Sequence, residues 1–149
     1  MKKRLISLAV LTSILFSLFS FNVYAEKDIS VYIDNKKIEF DVKPQIIDGR
    51  TMVPMRKIFE ELDAIVQWFG KTQEIFATKG TINISMTIND SIMYKNGNGI
   101  ILDVPPCIVD GRTLVPIRAV SSSLGAKVEW DGSKRAVYIT SAKALANGS

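Results

Sequence analysis

The sequence has no histidine and a single cysteine among its 149 residues. The absence of histidine removes the imidazole ligands of oxidase copper sites and the Ser-His-Asp and Cys-His systems of nucleophilic catalysis. A zinc site needs four ligands from cysteine, histidine or carboxylate, and no suitable spacing of these residues occurs. We therefore expect no metal, no cofactor and no enzymatic activity.

Acidic residues are the remaining candidates for catalysis, because glycoside hydrolysis needs only two carboxylates across a cleft. The candidates are Glu60, Glu61, Asp63, Glu74, Glu129 and Asp131. Glu60 and Glu61 fall in a short predicted helix, where solvated acids are ordinary. We interpret them as surface residues.

The lone cysteine, Cys107, cannot form a disulfide within the chain. We expect a free thiol at the edge of a strand. The alternative is a disulfide between two chains, which an exported protein permits.

The chain also lacks a marked excess of one charge once its first residues are set aside. It has 19 basic and 15 acidic residues, a net charge of +4. Lys2, Lys3 and Arg4 are three of the basic residues, and residues 1–25 contain no acidic one, so 16 basic and 15 acidic residues follow. A net charge of +1 without a basic run gives no electrostatic basis for nucleic-acid binding.

Residues 1–25 have the layout of a secretory signal peptide. The basic start is followed by an apolar run from Leu5 to Val23, and Val23 and Ala25 supply the small residues of a cleavage site. We predict cleavage after Ala25, a secreted or cell wall-associated protein, and no membrane attachment afterwards. The alternative is an uncleaved anchor, since the apolar run nearly reaches the ~20 residues that span a bilayer.

A segment of the sequence occurs twice. Residues 44–78 and 106–140 align without gaps at a spacing of 62, and fifteen of the thirty-five aligned positions are identical. Such self-similarity indicates duplication of a structural unit. Residues that recur in both copies are more simply explained by the shared fold than by a unique reaction centre.

Alternating apolar residues, tight-turn dipeptides and helical spacing predict the same order of elements in each copy. We expect helices over 54–62 and 116–124, and strands at 29–33, 38–42, 65–68, 74–78, 82–88, 93–95, 100–104, 127–130 and 136–140. Short apolar pairs at 46–47, 52–53, 108–109 and 114–115 flank the Asp-Gly turns. The predicted fold class is α+β with mainly antiparallel sheet. Two tandem β-hairpin/helix/β-hairpin repeats, at about 28–88 and 90–141, would pack as one pseudo-symmetric domain over 26–141. Residues 142–149 are predicted to form a flexible tail.

The repeated block Pro-x-Ile-Ile/Val-Asp-Gly-Arg-Thr-Met/Leu-Val-Pro-Met/Ile-Arg, followed by a helix and Val-x-Trp, is similar to the copper amine oxidase N-terminal-like domain, or stalk domain. The similarity covers about residues 28–141. It implies an accessory module without activity of its own, which in Gram-positive bacteria occurs in exported proteins, alone or beside wall-active domains. One departure is Ser121-Ser122-Ser123 in the second helix, where the first helix has Phe59-Glu60-Glu61.

Ten motif residues are assigned a structural role in the repeat: Asp48, Gly49, Arg50, Pro54 and Arg56, and their counterparts Asp110, Gly111, Arg112, Pro116 and Arg118. Arg56 and Arg118 stand at helix starts, where a cation is unfavourable. We expect each to bind the aspartate of the preceding turn or carbonyls of a neighbouring hairpin. The alternative is a pair of anion sites, for which Arg50 and Arg112 are more exposed candidates.

Three aromatic residues are candidates for contact with a ligand or partner. Trp68 and Trp130 recur, and Val66 and Val128 share their sheet faces, which favours a core position. The alternative is a pair of exposed platforms that stack on sugar rings. Phe69 does not recur, and beside Tyr32 or Tyr94 it would form an exposed patch.

We therefore expect an exported, non-catalytic accessory, scaffolding or binding module at the bacterial cell envelope. Its partner would be a cell-wall polymer or another envelope protein. The alternative is a module that binds peptidoglycan or another polysaccharide through exposed aromatic side chains. The sequence leaves the oligomeric state open.

Overall fold

The computed structural model describes residues 25–148, which form thirteen strands and three short helices. The first half contains β1 (Ser30–Ile33), β2 (Lys36–Ile38), β3 (Gln45–Ile47), β4 (Arg50–Pro54), α1 (Met55–Glu61), β5 (Ile65–Phe69), β6 (Glu74–Lys79) and β7 (Ile82–Thr87). The second half contains β8 (Ile92–Lys95), β9 (Asn98–Ile101), β10 (Cys107–Val109), β11 (Arg112–Pro116), α2 (Ile117–Ser123), β12 (Lys127–Asp131), β13 (Ala136–Thr140) and α3 (Ala142–Asn147).

The strands form three sheets, with the orders β12-β13-β1-β2, β10-β11-β4-β3 and β5-β6-β7-β8-β9. Within residues 25–148, the pairing of β1 with β13 is parallel and the other strand pairings are antiparallel. Short turns join most neighbouring strands, as antiparallel pairing permits. The predicted α+β class with mainly antiparallel sheet is confirmed.

The order of elements recurs at the spacing found in the sequence. The β1–β2 and β8–β9 hairpins, the β3–β4 and β10–β11 hairpins, and the two helices each start 62 residues apart. The halves differ after their last hairpins, because β7 extends the first half whereas α3 ends the second. The domain bounds and an overall pseudo-symmetry therefore stay predictions.

Strands of both halves occur in all three sheets, and equivalent strands pair in the sheet β10-β11-β4-β3, which we name the middle sheet. Strand β4 pairs with β11 so that Val53 lies opposite Val115, its own counterpart in the other copy. Helices α1 and α2 each contact a strand of the other half in this sheet, α1 with β11 and α2 with β4. One buried apolar cluster contains residues of both halves, including Phe59 and Val120. Burial of apolar surface between the halves is therefore a main source of stability.

The repeated Asp-Gly dipeptides form the two-residue turns of the middle sheet. Asp48 and Gly49 have φ values of 46° and 78°, and Asp110 and Gly111 have 49° and 72°. Two successive positive φ values characterise the hairpin turn that matches the twist of its strands. Aspartate tolerates this conformation and glycine adopts it without steric cost, which explains why the dipeptide recurs.

The helices begin one residue after the predicted position. Pro54 and Pro116 end their strands and act as N-caps, and the helices start at Met55 and Ile117. In α1 the apolar spacing places Met55, Ile58 and Phe59 in the core. In α2 Ser121 occupies the position of Phe59, and its buried hydroxyl has no hydrogen-bond partner among the described residues.

Two strand predictions were wrong in their extent. Strand β2 ends at Ile38 instead of continuing to residue 42, and β9 covers Asn98–Ile101 instead of 100–104. Asp41 and Asp103, which follow these strands, bind arginines of the other half. These ion pairs hold the connecting segments toward the middle sheet, so neither segment extends its strand.

The tail contains a helix that the sequence did not predict. The hydroxyl of Ser141 accepts a hydrogen bond from the Ala144 N–H over 3.1 Å and thereby caps α3. No residue of α3 is buried, and flexibility of residues 142–149 stays a prediction. Apart from Ala25, the predicted leader lies outside the described residues. No helix within 25–148 is long and apolar enough to cross a bilayer.

Candidate binding clefts

A cleft of about 560 Å³ lies between the two halves and contains Trp130; we name it the Trp130 cleft. Its charged lining residues are Arg50, Asp103 and Arg118, and its size falls in the range of small-molecule sites. The remaining lining residues are Ile46, Gly49, Thr51, Ile101, Leu102, Val104, Pro116, Ile117, Ala119, Val128 and Val137.

A second cleft between the halves contains Trp68 and has a volume of about 590 Å³; we name it the Trp68 cleft. Its charged lining residues are Glu39, Asp41, Arg56, Lys57, Glu60 and Arg112. Pro54, Met55, Gly111 and Thr113 complete its lining. Most of these residues stand 62 positions from a residue of the Trp130 cleft, so the two clefts are repeat counterparts.

In each cleft an arginine of a turn binds an aspartate of the other half. Arg50 donates from Nε and Nη2 to Asp103 Oδ2 over 2.8 and 2.6 Å. Arg112 donates from Nε to Asp41 Oδ2 over 2.5 Å, and this bond holds the pKa of Asp41 below its ordinary value. Since both arginines already have carboxylate partners, the anion-site hypothesis loses support for them.

The helix-start arginines do not bind the turn aspartates. Arg118 donates from Nη1 to the carbonyl of Val128 over 3.1 Å, which confirms the predicted contact with a neighbouring hairpin. For Arg56 the prediction was wrong, because its ion-pair partner is Glu60 at 3.7 Å, one turn along the same helix. A spacing of four residues brings these side chains together.

The two tryptophans occupy different environments. Trp68 is half-buried and packs against the apolar core, in line with the predicted core position. For Trp130 that prediction was wrong, because 41% of the residue is exposed at its cleft. The indole Nε1 of Trp130 lies close to Gly132, where an added Cβ would be 3.3 Å from it. The glycine therefore leaves room for the indole at the turn.

Phe69 is 48% exposed, as predicted, but neither Tyr32 nor Tyr94 is its aromatic partner. Its ring meets Phe76 edge-on at 5.5 Å between centroids, whereas Tyr32 stacks on Tyr138. Phe69 and Phe76 belong to an outer face of the five-stranded sheet that also exposes Ile65, Ile92, Tyr94 and Ile101. We name these six residues the outer face.

Cys107 lies in β10, an edge strand of the middle sheet, and is half-buried. It packs against a small apolar cluster of Met52, Val104 and Leu114. Burial raises the pKa of its thiol. The predicted position at a strand edge is confirmed, and the free state of the thiol stays a prediction.

The arrangement does not fit a copper site. The sequence has no histidine, and no group of three or more potential ligands converges within residues 25–148. Among the acidic candidates for catalysis, Glu61 binds Lys57 Nζ at 2.8 Å, which lowers the pKa of Glu61. The pKa of Asp131 is lowered by the hydroxyl of Ser133. Lowered pKa values oppose the role of general acid at neutral pH.

Asp41 and Asp103 complete the two arginine pairs and were not predicted from the sequence. Both follow strands of equivalent hairpins, and they stand 62 residues apart, as Arg50 and Arg112 do. This recurrence was the available signal. It lay outside the ungapped block of residues 44–78 and 106–140.

These observations define an α+β module with clefts between its halves and no assembled catalytic group among its described residues. Residues 32–139 match the family model described as copper amine oxidase N-terminal domain, and the chain belongs to this family. The family domain is a non-catalytic stalk of these oxidases. No curated protein matches the chain.

Proposed function

We propose that this chain is an exported, non-catalytic binding module that holds a saccharide polymer of the Gram-positive cell envelope in the Trp130 cleft. Export is supported by the signal-peptide layout of residues 1–25. An accessory role agrees with the family. The partner class follows from the chemistry of the cleft.

The exposed indole of Trp130 is the observation that carries this proposal. A buried tryptophan serves packing, whereas an exposed one at the edge of a ligand-sized cleft offers a flat apolar surface beside polar groups. Sugar rings have one such apolar face and hydroxyl groups around it. Arg118 and the Arg50–Asp103 pair supply hydrogen-bonding groups in the same cleft.

The test is co-sedimentation of the purified protein with purified peptidoglycan, in low and high salt. We expect the wild type to pellet in both and Trp130→Ala to lose at least about tenfold in affinity, since stacking residues contribute strongly to binding. The control is Trp68→Phe, which keeps an aromatic ring against the core. Circular dichroism must show both variants folded, and a folded Trp130→Ala protein that pellets like the wild type would refute the proposal.

A second candidate function is scaffolding of another envelope protein through the outer face. Six exposed apolar residues on one sheet face form the kind of patch that marks interaction sites. The test is a photo-crosslinking residue at position 76 in the secreted protein, because Phe76 lies on the outer face and lines neither cleft. A specific adduct that Phe69→Asp abolishes and Trp130→Ala retains would favour this role, and absence of any adduct would reject it.

A further inference from the structure

We propose that the saccharide unit held in the Trp130 cleft carries one negative charge, which Arg118 binds. This inference rests on the proposed function and adds the chemical class of the ligand. The inference follows from comparing the charged residues of the Trp130 cleft with those of the Trp68 cleft.

The Trp130 cleft contains one cation without a carboxylate partner. Its three charged residues are Arg50, Asp103 and Arg118, and the first two bind each other at 2.6 Å. Within residues 25–148, no carboxylate lies at ion-pair distance from Arg118. The cleft therefore has a net charge of +1.

The Trp68 cleft is electrically balanced. It contains three cations and three carboxylates, and Arg56, the counterpart of Arg118, is paired with Glu60. The position of Glu60 is occupied in the second half by Ser122, and that of Glu39 by Ile101. These two replacements remove two acids from the surroundings of Arg118, and Ala119 in the place of Lys57 removes one cation, which together leave the net charge of +1.

The guanidinium of Arg118 is fixed by one hydrogen bond and keeps N–H donors that bind no described residue. Its Nη1 donates to the carbonyl of Val128, and the described residues show no other hydrogen bond from this side chain. A guanidinium has five N–H donors in a planar fork that matches carboxylate and phosphate oxygens. The remaining donors are therefore available to an anionic ligand.

The carbonyl that accepts the hydrogen bond of Arg118 belongs to the same strand as Trp130. Val128 precedes Trp130 by two residues in β12, so their Cα atoms lie about 7 Å apart along the strand, and both residues line the cleft together with Arg118. This spacing is comparable to the width of one sugar ring and its charged substituent. A ring stacked on Trp130 can thus place an acidic group at Arg118.

The experiment titrates the protein with trigalacturonate, which has one carboxylate per ring, and with its methyl ester, which has the same rings without charge. Binding is followed by isothermal titration calorimetry. We expect at least about tenfold tighter binding of the acid, and a weaker preference in 1 M NaCl because salt screens the charge. Arg118→Gln should abolish the preference, whereas the matched variant Arg56→Gln should retain it.

A second arm replaces trigalacturonate with a glycerol phosphate polymer that carries glucosyl groups. Stronger binding of the carboxylate or of the phosphate polymer identifies which anion the cleft receives, and both results support the inference. The inference would be overturned if acid and ester bind equally, or if Arg118→Gln and Arg56→Gln reduce the preference for the acid equally. Saccharide binding by the cleft would remain supported in either case. If the wild type binds neither these saccharides nor peptidoglycan, the proposed function fails as well.

Discussion

Arg112 and Asp41 stand 71 residues apart in the sequence, yet Arg112 Nε donates to Asp41 Oδ2 over 2.5 Å. The equivalent pair, Arg50 with Asp103, runs in the opposite direction between the halves. Each half thus supplies the arginine of one pair and the aspartate of the other. The two pairs connect the segments that follow the β1–β2 and β8–β9 hairpins to the turns of the middle sheet.

We predict that the Asp41–Arg112 pair contributes to acid sensitivity. Asp41 is ionised at lower pH in the folded protein than its ordinary pKa of 3.8 allows, because Arg112 and the Val42 N–H bind the carboxylate. Its contribution is complete above that ordinary value and is lost as pH falls through the lowered pKa.

The measurement is urea unfolding between pH 5 and pH 2. The midpoint should fall with pH, and Asp41→Asn should lose less stability over this range than the wild type. The difference should narrow in 1 M NaCl, since the pair is exposed and is screened by salt. An identical pH dependence in both proteins would contradict the assignment.

We predict that Ser121→Ala stabilises the protein. The Ser121 hydroxyl is fully buried and unpaired among the described residues, and alanine has the higher helix propensity. The expected gain in the free energy of unfolding is about 1 kcal/mol, measured by urea denaturation. Ser122→Ala is the control, because Ser122 is exposed in the same helix and gains only the propensity term. A gain no larger than that of the control would contradict the prediction.

The residues of positive φ that follow α1 and α2 differ, and the two positions should respond in opposite ways to substitution. Gly125 follows α2 with a φ of 84°, and an added Cβ would lie 3.3 Å from the Cβ of Ala142. Its counterpart Asp63 has a φ of 62°. Gly125→Ala should lower the free energy of unfolding by about 1 kcal/mol, because an L-residue is strained in this region. Asp63→Gly should not destabilise, and thermal melts of both variants decide the comparison.

We predict that Cys107 remains a free, slowly reacting thiol and forms no disulfide with a second chain. Burial raises its pKa, so little thiolate is present at neutral pH, and thiolate is the reactive form. Modification by a disulfide reagent should be much slower in buffer than in urea. Light scattering should give the same mass with and without reductant. A dimer that reductant dissociates would refute the prediction.

Features of this fold that depend on neighbouring residues follow from the sequence, and features that depend on distant contacts do not. The Asp48-Gly49 turn and the apolar face of α1 were predictable because they depend on local φ values and on a local period. The end of β2 at Ile38 was not predictable, because the alternation of apolar residues continues through residue 42. Its cause is a distant contact, the ion pair of Asp41 with Arg112. Trp130 was predicted to lie in the core because it shares a sheet face with Val128. Its exposure depends on tertiary contacts, since β12 is the edge strand of its sheet.

The sequence alone determined the duplication, the α+β class with mainly antiparallel strands, and the family similarity, because repeats, turn residues and apolar periods are written in neighbouring positions. The tertiary structure decided the crossed Arg–Asp pairs, the exposure of Trp130 and the imbalance of charge between the clefts. These features depend on contacts between residues far apart in the chain, and only the packing of the two halves brings those residues together.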